Sequence, residues 1–230
     1  MSYAVTVSTR EAAIDLTSFL TRARRVLDGA ARVISDGTHL QVYVGILMPR
    51  GLLDRTPTVL GLRVAPLVSG DNCDVVVPLE SLVYRIEKAA SDADADGEVT
   101  IGLPAPSPSL HWPSISPPRD GWKRRMGIPA DQLADTARRG IEAIAEAIPD
   151  SVGEAVVQKV RAEVWGQPIA HKKAIPWGAG FAAETLGFLE QRTLAVHTCG
   201  HWVRLSSDHG YVLVKGHEEP DGLGEPDGED

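Results

Sequence analysis

Residues 197–201 read His-Thr-Cys-Gly-His and form the stretch with the clearest chemical character. Alternate residues of a β-strand project from one face, so a strand here would carry His197, Cys199 and His201 side by side. Imidazole nitrogens and a thiolate are ligands that zinc prefers. The candidates for a fourth ligand are His209, His217, Cys73 and water. The alternative is a strand that buries a cysteine between two hydrogen-bonded histidines, because no Cys-x-x-Cys or His-Glu-x-x-His accompanies the pattern.

An acidic run matches the first eight positions of a calcium-binding loop. Asp92, Asp94 and Asp96 alternate along the chain, and Gly97 follows where such loops turn sharply. The twelfth position, however, holds Leu103, where a calcium loop needs a bidentate glutamate. The pattern therefore offers a candidate calcium site, but it favours an acidic surface turn.

Two groups of cations could contact phosphates. They are Arg22, Arg24 and Arg25 in one segment, and Lys123, Arg124 and Arg125 after Trp122 in another. The first group falls outside the apolar stripe of a predicted helix at 10–28, and the second lies in a proline-rich segment. The alternative is that these side chains are solvated or paired with acidic residues. Direct binding of DNA is one hypothesis that the pattern supports.

Residues 178–183 fit the pattern Gly-x-Gly-x-x-Ala before a helix. A dinucleotide site needs a strand before the first glycine and an acidic residue about 20 positions later. The preceding segment is a poor strand, and 198–204 contains no acidic residue. The pattern therefore favours close packing at the start of a helix. No catalytic residues can be assigned, so a non-enzymatic role is favoured.

The composition is that of a globular protein, with 43% hydrophobic and 23% charged residues among 230. Seven of the acidic residues lie in 217–230 and account for almost all of the net charge of -8. This segment is predicted to be a disordered tail that either solubilises the protein or acts as a decoy for a basic surface. Two cysteines make no disulfide framework, so we expect a cytoplasmic location, and no apolar run is long enough to span a membrane.

The pattern of the elements predicts an α+β fold with a largely antiparallel sheet. Residues 1–102 predict the order β-α-β-β-β-β-α-β, with a hairpin turn at Asp36-Gly37. The predicted organisation is a first part of the sheet at 1–102, a proline-rich connector at 103–129, a helical hairpin at 130–166, a helix and strands that complete the sheet at 167–216, and the tail at 217–230.

The layout of the first 102 residues resembles a domain of a DNA sliding clamp. The matching pieces are the strand at 5–7, the helix at 10–28, the turn at 35–37, and the segment at 76–82 that leads through Pro78 into a second helix. The resemblance implies a clamp-like fold, in which the helical hairpin is an insertion. It also implies helices that carry basic residues toward DNA.

These patterns together favour a non-enzymatic cytoplasmic binding or scaffold protein, associated with nucleic-acid metabolism. A protein partner is expected, nucleic acid is a second candidate partner, and a homodimer is compatible with the sequence. Two hypotheses stay open beside this one. The first is a metalloprotein or metal-dependent enzyme with a His-x-Cys-x-His site, and the second is a direct DNA binder.

Overall fold

The computed structural model has an α+β fold with antiparallel sheets, as predicted. It describes residues 3–26, 29–49, 51, 54–94, 97–107, 110, 112, 116–148 and 153–216. The chain divides into two compact units, the first formed by 1–45 and 62–114 and the second by 46–61 and 115–230. No helix in the described part of the chain is long and apolar enough to cross a membrane.

The first unit packs two helices against antiparallel strands. Its elements are β1 (Ala4–Val7), α1 (Arg10–Arg24), β2 (Ala30–Ser35), β3 (His39–Leu47), β4 (Thr58–Pro66), β5 (Ser69–Gly70), β6 (Cys73–Pro78), α2 (Leu79–Asp92) and β7 (Val99–Gly102). One sheet has the order β5-β1-β7, and a second runs β6-β2-β3-β4. The C-terminal end of β3 and the N-terminal end of β4 fall within 46–61, which belongs to the second unit.

The second unit joins three helices to a sheet and a short hairpin. Its elements are β8 (Lys123–Pro129), α3 (Ala130–Ala147), α4 (Glu154–Trp165), β9 (Pro168–Ile169), β10 (Lys172–Pro176), α5 (Trp177–Leu186), β11 (Thr193–Cys199), β12 (Trp202–Ser207) and β13 (Gly210–Lys215). Its main strands have the order β13-β12-β11-β8, and the three pairings between these neighbours are antiparallel.

Local signals in the sequence explain several element boundaries. The Thr9 hydroxyl accepts a hydrogen bond from the Ala12 amide at 3.1 Å and so caps α1. At the β2–β3 hairpin, the Asp36 carboxylate accepts hydrogen bonds from the backbone amides of Thr38 and His39. These bonds, with one from the Thr38 hydroxyl, lower the pKa of Asp36 to about 2. Gly37 takes a φ of +86°, which a residue with a side chain rarely adopts.

Helix α5 lies inside the second unit, and small residues allow this. Its buried residues are Gly178, Ala179, Gly180, Phe181, Ala182, Ala183 and Leu186. A Cβ at Gly178 would stand 2.4 Å from Leu47 Cδ1, and one at Gly180 would stand 2.7 Å from the Leu133 carbonyl oxygen. The Gly-x-Gly-x-x-Ala pattern therefore serves close packing.

The proline-rich connector forms a strand at one end. The segment at 103–129 was predicted only as a proline-rich connector, and within it Lys123–Pro129 forms β8 and pairs with β11. This strand contains three charged residues, a glycine and a proline, so its composition does not predict a strand. The predicted tail at 217–230 lies outside the described residues. That 1–102 and 167–216 complete one sheet stays a prediction.

Candidate functional site

Strands β8, β11, β12 and β13 present two chemically different faces. One face is buried and apolar, and its residues include Leu194, Val196, Leu205, Val212 and Val214. On the other face, Arg124 of β8 is the register partner of His197 on β11, which is in turn the partner of Arg204 on β12. Directly opposed residues of antiparallel strands share a face, so these three side chains form a row across the sheet.

The charge of these four strands has one sign. They contain five lysines and arginines and no aspartate or glutamate. Acidic residues flank these strands along the chain: Asp120 and Asp131 lie on either side of β8, and Asp208 lies in the turn between β12 and β13. We call the half-exposed side of these strands the basic face. Its charged, aromatic and imidazole side chains include Trp122, Arg124, His197, Arg204, Tyr211 and Lys215, and the same side also carries the buried Trp202 and Leu213.

Arg204 lies at the centre of the basic face between two aromatic rings. Its guanidinium carbon is 4.6 Å from the centre of the Trp122 ring and 5.2 Å from that of Tyr211. The Trp122 indole is fixed in turn by a hydrogen bond of 3.1 Å from Nε1 to the Pro118 carbonyl. Stacking on ring faces is favourable for a guanidinium, but it satisfies none of its hydrogen-bond donors.

Burial leaves this guanidinium short of partners. The Nε of Arg204 is buried and has no hydrogen-bond partner in the structure. Desolvation lowers the pKa of Arg204 from its usual value, because no carboxylate compensates the loss of water. The side chain stays charged at any physiological pH. The basic face therefore holds a cation that an incoming anion would stabilise.

The surroundings of His197 disfavour its protonated form. Burial lowers the pKa of His197, and the positive charges of Arg204 and Arg124 lower it further. Its Nδ1 lies 3.2 Å from the Ser206 hydroxyl. A hydroxyl beside an imidazole also occurs in hydrolases, where a third group orients the base. Here two arginines reduce the basicity of the imidazole, and these four strands supply no carboxylate to orient it.

The His-x-Cys-x-His stretch does not extend along one strand as expected. Strand β11 ends at Cys199, and His201 lies exposed in the turn to β12, where Gly200 has a φ of +49°. The Cys199 thiol lies 3.5 Å from the Asp120 carbonyl oxygen, to which it donates. The described residues contain no group of three or more His, Cys, Asp or Glu side chains that could hold a metal ion.

The other candidate metal ligands are dispersed or outside the described residues. His209 Nε2 lies 3.1 Å from Glu190 Oε2, and Cys73 belongs to the first unit. Asp92 is the last residue of α2, and Asp94 follows in a turn closed by a hydrogen bond from the Gly97 amide. Asp96 and His217 lie outside the described residues. The calcium site therefore stays a prediction.

The two predicted groups of cations belong to different units. Arg22, Arg24 and Arg25 stand at the C-terminal end of α1 in the first unit, where cations complement the helix dipole. Lys123, Arg124 and Arg125 belong to β8 in the second unit, and Arg125 Nε donates to the Thr198 hydroxyl at 2.9 Å. The five helices in the described part of the chain together contain nine lysines and arginines and twelve aspartates and glutamates.

The clamp resemblance implies helices that carry basic residues toward DNA, and this implication stays a prediction. Acidic residues outnumber basic ones over the described helices together, but α1 alone contains three basic and two acidic residues. Among the described strands, β8, β12 and β13 hold five basic residues and no acidic one, and β10 adds Lys172 and Lys173. Sequence reasoning identified Lys123–Arg125 but missed Arg204 and Tyr211, because only the strand pairing places them beside Trp122.

Two family models match separate parts of the chain. One family model, a domain of unknown function (DUF8010), matches residues 1–107. A second, also a domain of unknown function (DUF8185), matches residues 117–219. No curated protein matches the chain.

Similar solved structures are bacterial sliding clamps of low sequence identity. A putative DNA polymerase III β subunit from Eubacterium rectale has a TM-score of 0.52 at 7% identity, and 93% of this chain covers 64% of that one. A sliding clamp from Bartonella birtlesii bound to griselimycin has a TM-score of 0.51 at 14% identity, with 94% and 65% covered. The chain has a sliding-clamp-like fold. The β sliding clamp of Caulobacter crescentus aligns with a TM-score of 0.47 at 16% identity, over 96% and 66%. The chain thus spans about two thirds of the length of these clamps.

Proposed function

We propose that this sliding-clamp-like protein is a non-enzymatic scaffold that binds proteins of nucleic-acid metabolism through its helices. The observation that carries the proposal is the character of the helical surfaces. Taken together, the described helices contain twelve acidic and nine basic residues, so as a group they give no net attraction to the phosphates of a duplex. The same helices also expose several large apolar side chains.

The exposed apolar side chains are distributed over both units. In the first unit, Ile14 on α1 is 50% exposed and Tyr84 on α2 is 63% exposed, and these two helices pack on each other. In the second unit, Ile141 on α3 and Val156 on α4 are about half exposed. Tyrosine is enriched among the few residues that supply most of the binding energy at protein interfaces. These helices therefore offer surfaces for protein partners.

A photocrosslinking experiment in the native cells tests the proposal. A photoreactive amino acid at position 84 is expected to capture proteins that act on nucleic acids, and the Tyr84→Ala variant should lose the same partners in a pull-down. The matched control is Glu87→Ala, an exposed change on the same helix. Capture of no protein from positions 14, 84 and 141 would contradict the proposal. Turnover of a small molecule by the purified protein would replace it with an enzymatic function.

The oligomeric state and the location of the protein also stay predictions. Closed homo-oligomers are common among soluble proteins, and sedimentation velocity of the purified full chain distinguishes a monomer from the proposed homodimer. Fractionation of the native cells tests the proposed cytoplasmic location.

A further inference from the structure

The basic face contains more cationic and aromatic groups than the fold requires. The buried side of the same four strands already supplies an apolar core, with five side chains at 0–2% exposure. Arg204 adds nothing to that core, and its buried Nε lacks a hydrogen-bond partner. A buried donor without a partner carries a desolvation penalty. The buried Nε itself is closed to an incoming ligand, but the guanidinium carries a positive charge that no acidic residue of these four strands balances.

The spacing of the cations indicates the shape of that ligand. Arg124, His197 and Arg204 are register partners on three adjacent strands, and neighbouring strands lie about 4.8 Å apart. The row between the two arginines therefore spans roughly 10 Å across the sheet. Lys215 pairs with Trp202, two positions from Arg204 on β12, and so lies on the same face. Such a row suits a ligand with repeated negative charges.

We propose that the basic face binds single-stranded nucleic acid. Arg124, Arg204 and Lys215 contact its phosphates, and the Trp122 and Tyr211 rings contact its bases. This site goes beyond the proposed protein scaffold, because it lies on strands rather than helices and needs no protein partner.

The aromatic rings distinguish a single strand from the other polyanions. Bases of a single strand are free to stack on side chains, and arginine planes take part in such stacks. A duplex keeps its bases stacked internally, so it would gain nothing from Trp122 and Tyr211. An acidic peptide would be attracted by the charges but has no planar groups for the rings.

Fluorescence anisotropy with the full chain tests the proposal. The probe is a labelled oligodeoxythymidine, measured at low and moderate salt against a labelled duplex and a polyglutamate competitor of equal charge. We expect the single strand to bind more tightly than the duplex, with an affinity that falls as salt rises. The Arg204→Gln variant should bind about tenfold more weakly, because it loses a hydrogen bond to a charged group.

Matched variants separate this site from general attraction of charge. Arg124→Gln, an exposed change on the face, should weaken binding and reduce the salt slope by about 0.7. Trp122→Leu should reduce the affinity for the single strand at least fivefold. Lys88→Gln on α2 makes the same charge change outside the face and should have no effect. Circular dichroism checks the fold of each variant.

Three results would overturn the inference. The first is no binding of oligodeoxythymidine at low salt. The second is equal affinity for the duplex or equal displacement by polyglutamate, which would show that only charge is recognised. The third is equal loss in Lys88→Gln and Arg124→Gln. Since the helix variants of the scaffold proposal do not alter this face, failure here leaves that proposal standing, and the reverse also holds.

Discussion

Replacement of Gly180 by alanine tests whether the Gly-x-Gly-x-x-Ala pattern serves packing. The added Cβ would stand 2.7 Å from the Leu133 carbonyl oxygen and 3.4 Å from Thr136 Cβ. The close atom belongs to the backbone of α3 and cannot rotate away. Helices α3 and α5 must therefore separate by roughly 0.5 Å or more within a close-packed interior.

The expected effect is a net loss of stability. Overpacking of this kind costs about 1–3 kcal/mol, and alanine in place of glycine within a helix offsets up to about 1 kcal/mol. Because the obstacle is backbone, we expect the free energy of unfolding to fall by about 1–2 kcal/mol. Urea unfolding followed by circular dichroism gives this difference from the shift of the midpoint at constant slope.

A second glycine in the same unit provides the control. Gly51 has no heavy atom within 4 Å of a built Cβ, so Gly51→Ala should leave the midpoint nearly unchanged. An unchanged or raised midpoint in Gly180→Ala would refute the close approach of α3 and α5. Binding of a dinucleotide by the wild type, abolished in Gly180→Ala without loss of stability, would instead support the cofactor interpretation.

Three further predictions concern protons and charge. The pKa of His197 is lowered from 6.5 in the folded state, so the free energy of unfolding should fall as pH drops below 6.5, and it should fall less in His197→Gln. Urea titrations of both proteins at several pH values measure this, and an equal dependence of stability on pH in the two proteins would contradict it. The pKa of Asp36 is about 2 against an ordinary 3.8, so its stabilisation is present above 3.8 and lost as pH falls toward 2. Asp36→Asn, which keeps the acceptor oxygen, should flatten acid unfolding in that window, and an unchanged acid midpoint would exclude the role. Deletion of 217–230 removes seven acidic residues, and it should tighten oligonucleotide binding at low salt and not at high salt; a salt-independent change would point away from electrostatics.

Local signals made the first unit largely predictable. Thr9 is a short polar residue just before an apolar stripe, and it caps α1 as that position predicts. Asp36-Gly37 forms the turn of the β2–β3 hairpin, because both residues tolerate the required backbone angles. The clamp-like layout followed from the order of these elements, and the solved clamps confirm the fold. Each of these features depends on residues close together in the sequence, so the sequence alone carries them.

The candidate site was not predictable in the same way. The basic run at 123–125 is evident in the sequence, but its composition does not predict a strand. These residues form β8 because they pair with β11. The Arg204 guanidinium meets Trp122 across 82 positions of sequence, a contact that no local pattern records. Likewise, His201 does not lie on the strand that carries His197 and Cys199. Cys199 pairs with Trp202, and this pairing places the turn at 200–201.

The sequence by itself determined the α+β class, the hairpin turn, the cap of α1 and the concentration of acidic charge in 217–230, because each depends on near neighbours or composition. The tertiary structure decided which cations share a face and which glycines meet a backbone carbonyl. Both depend on strand register and helix packing, and long-range hydrogen bonds and buried volume fix these across the whole chain.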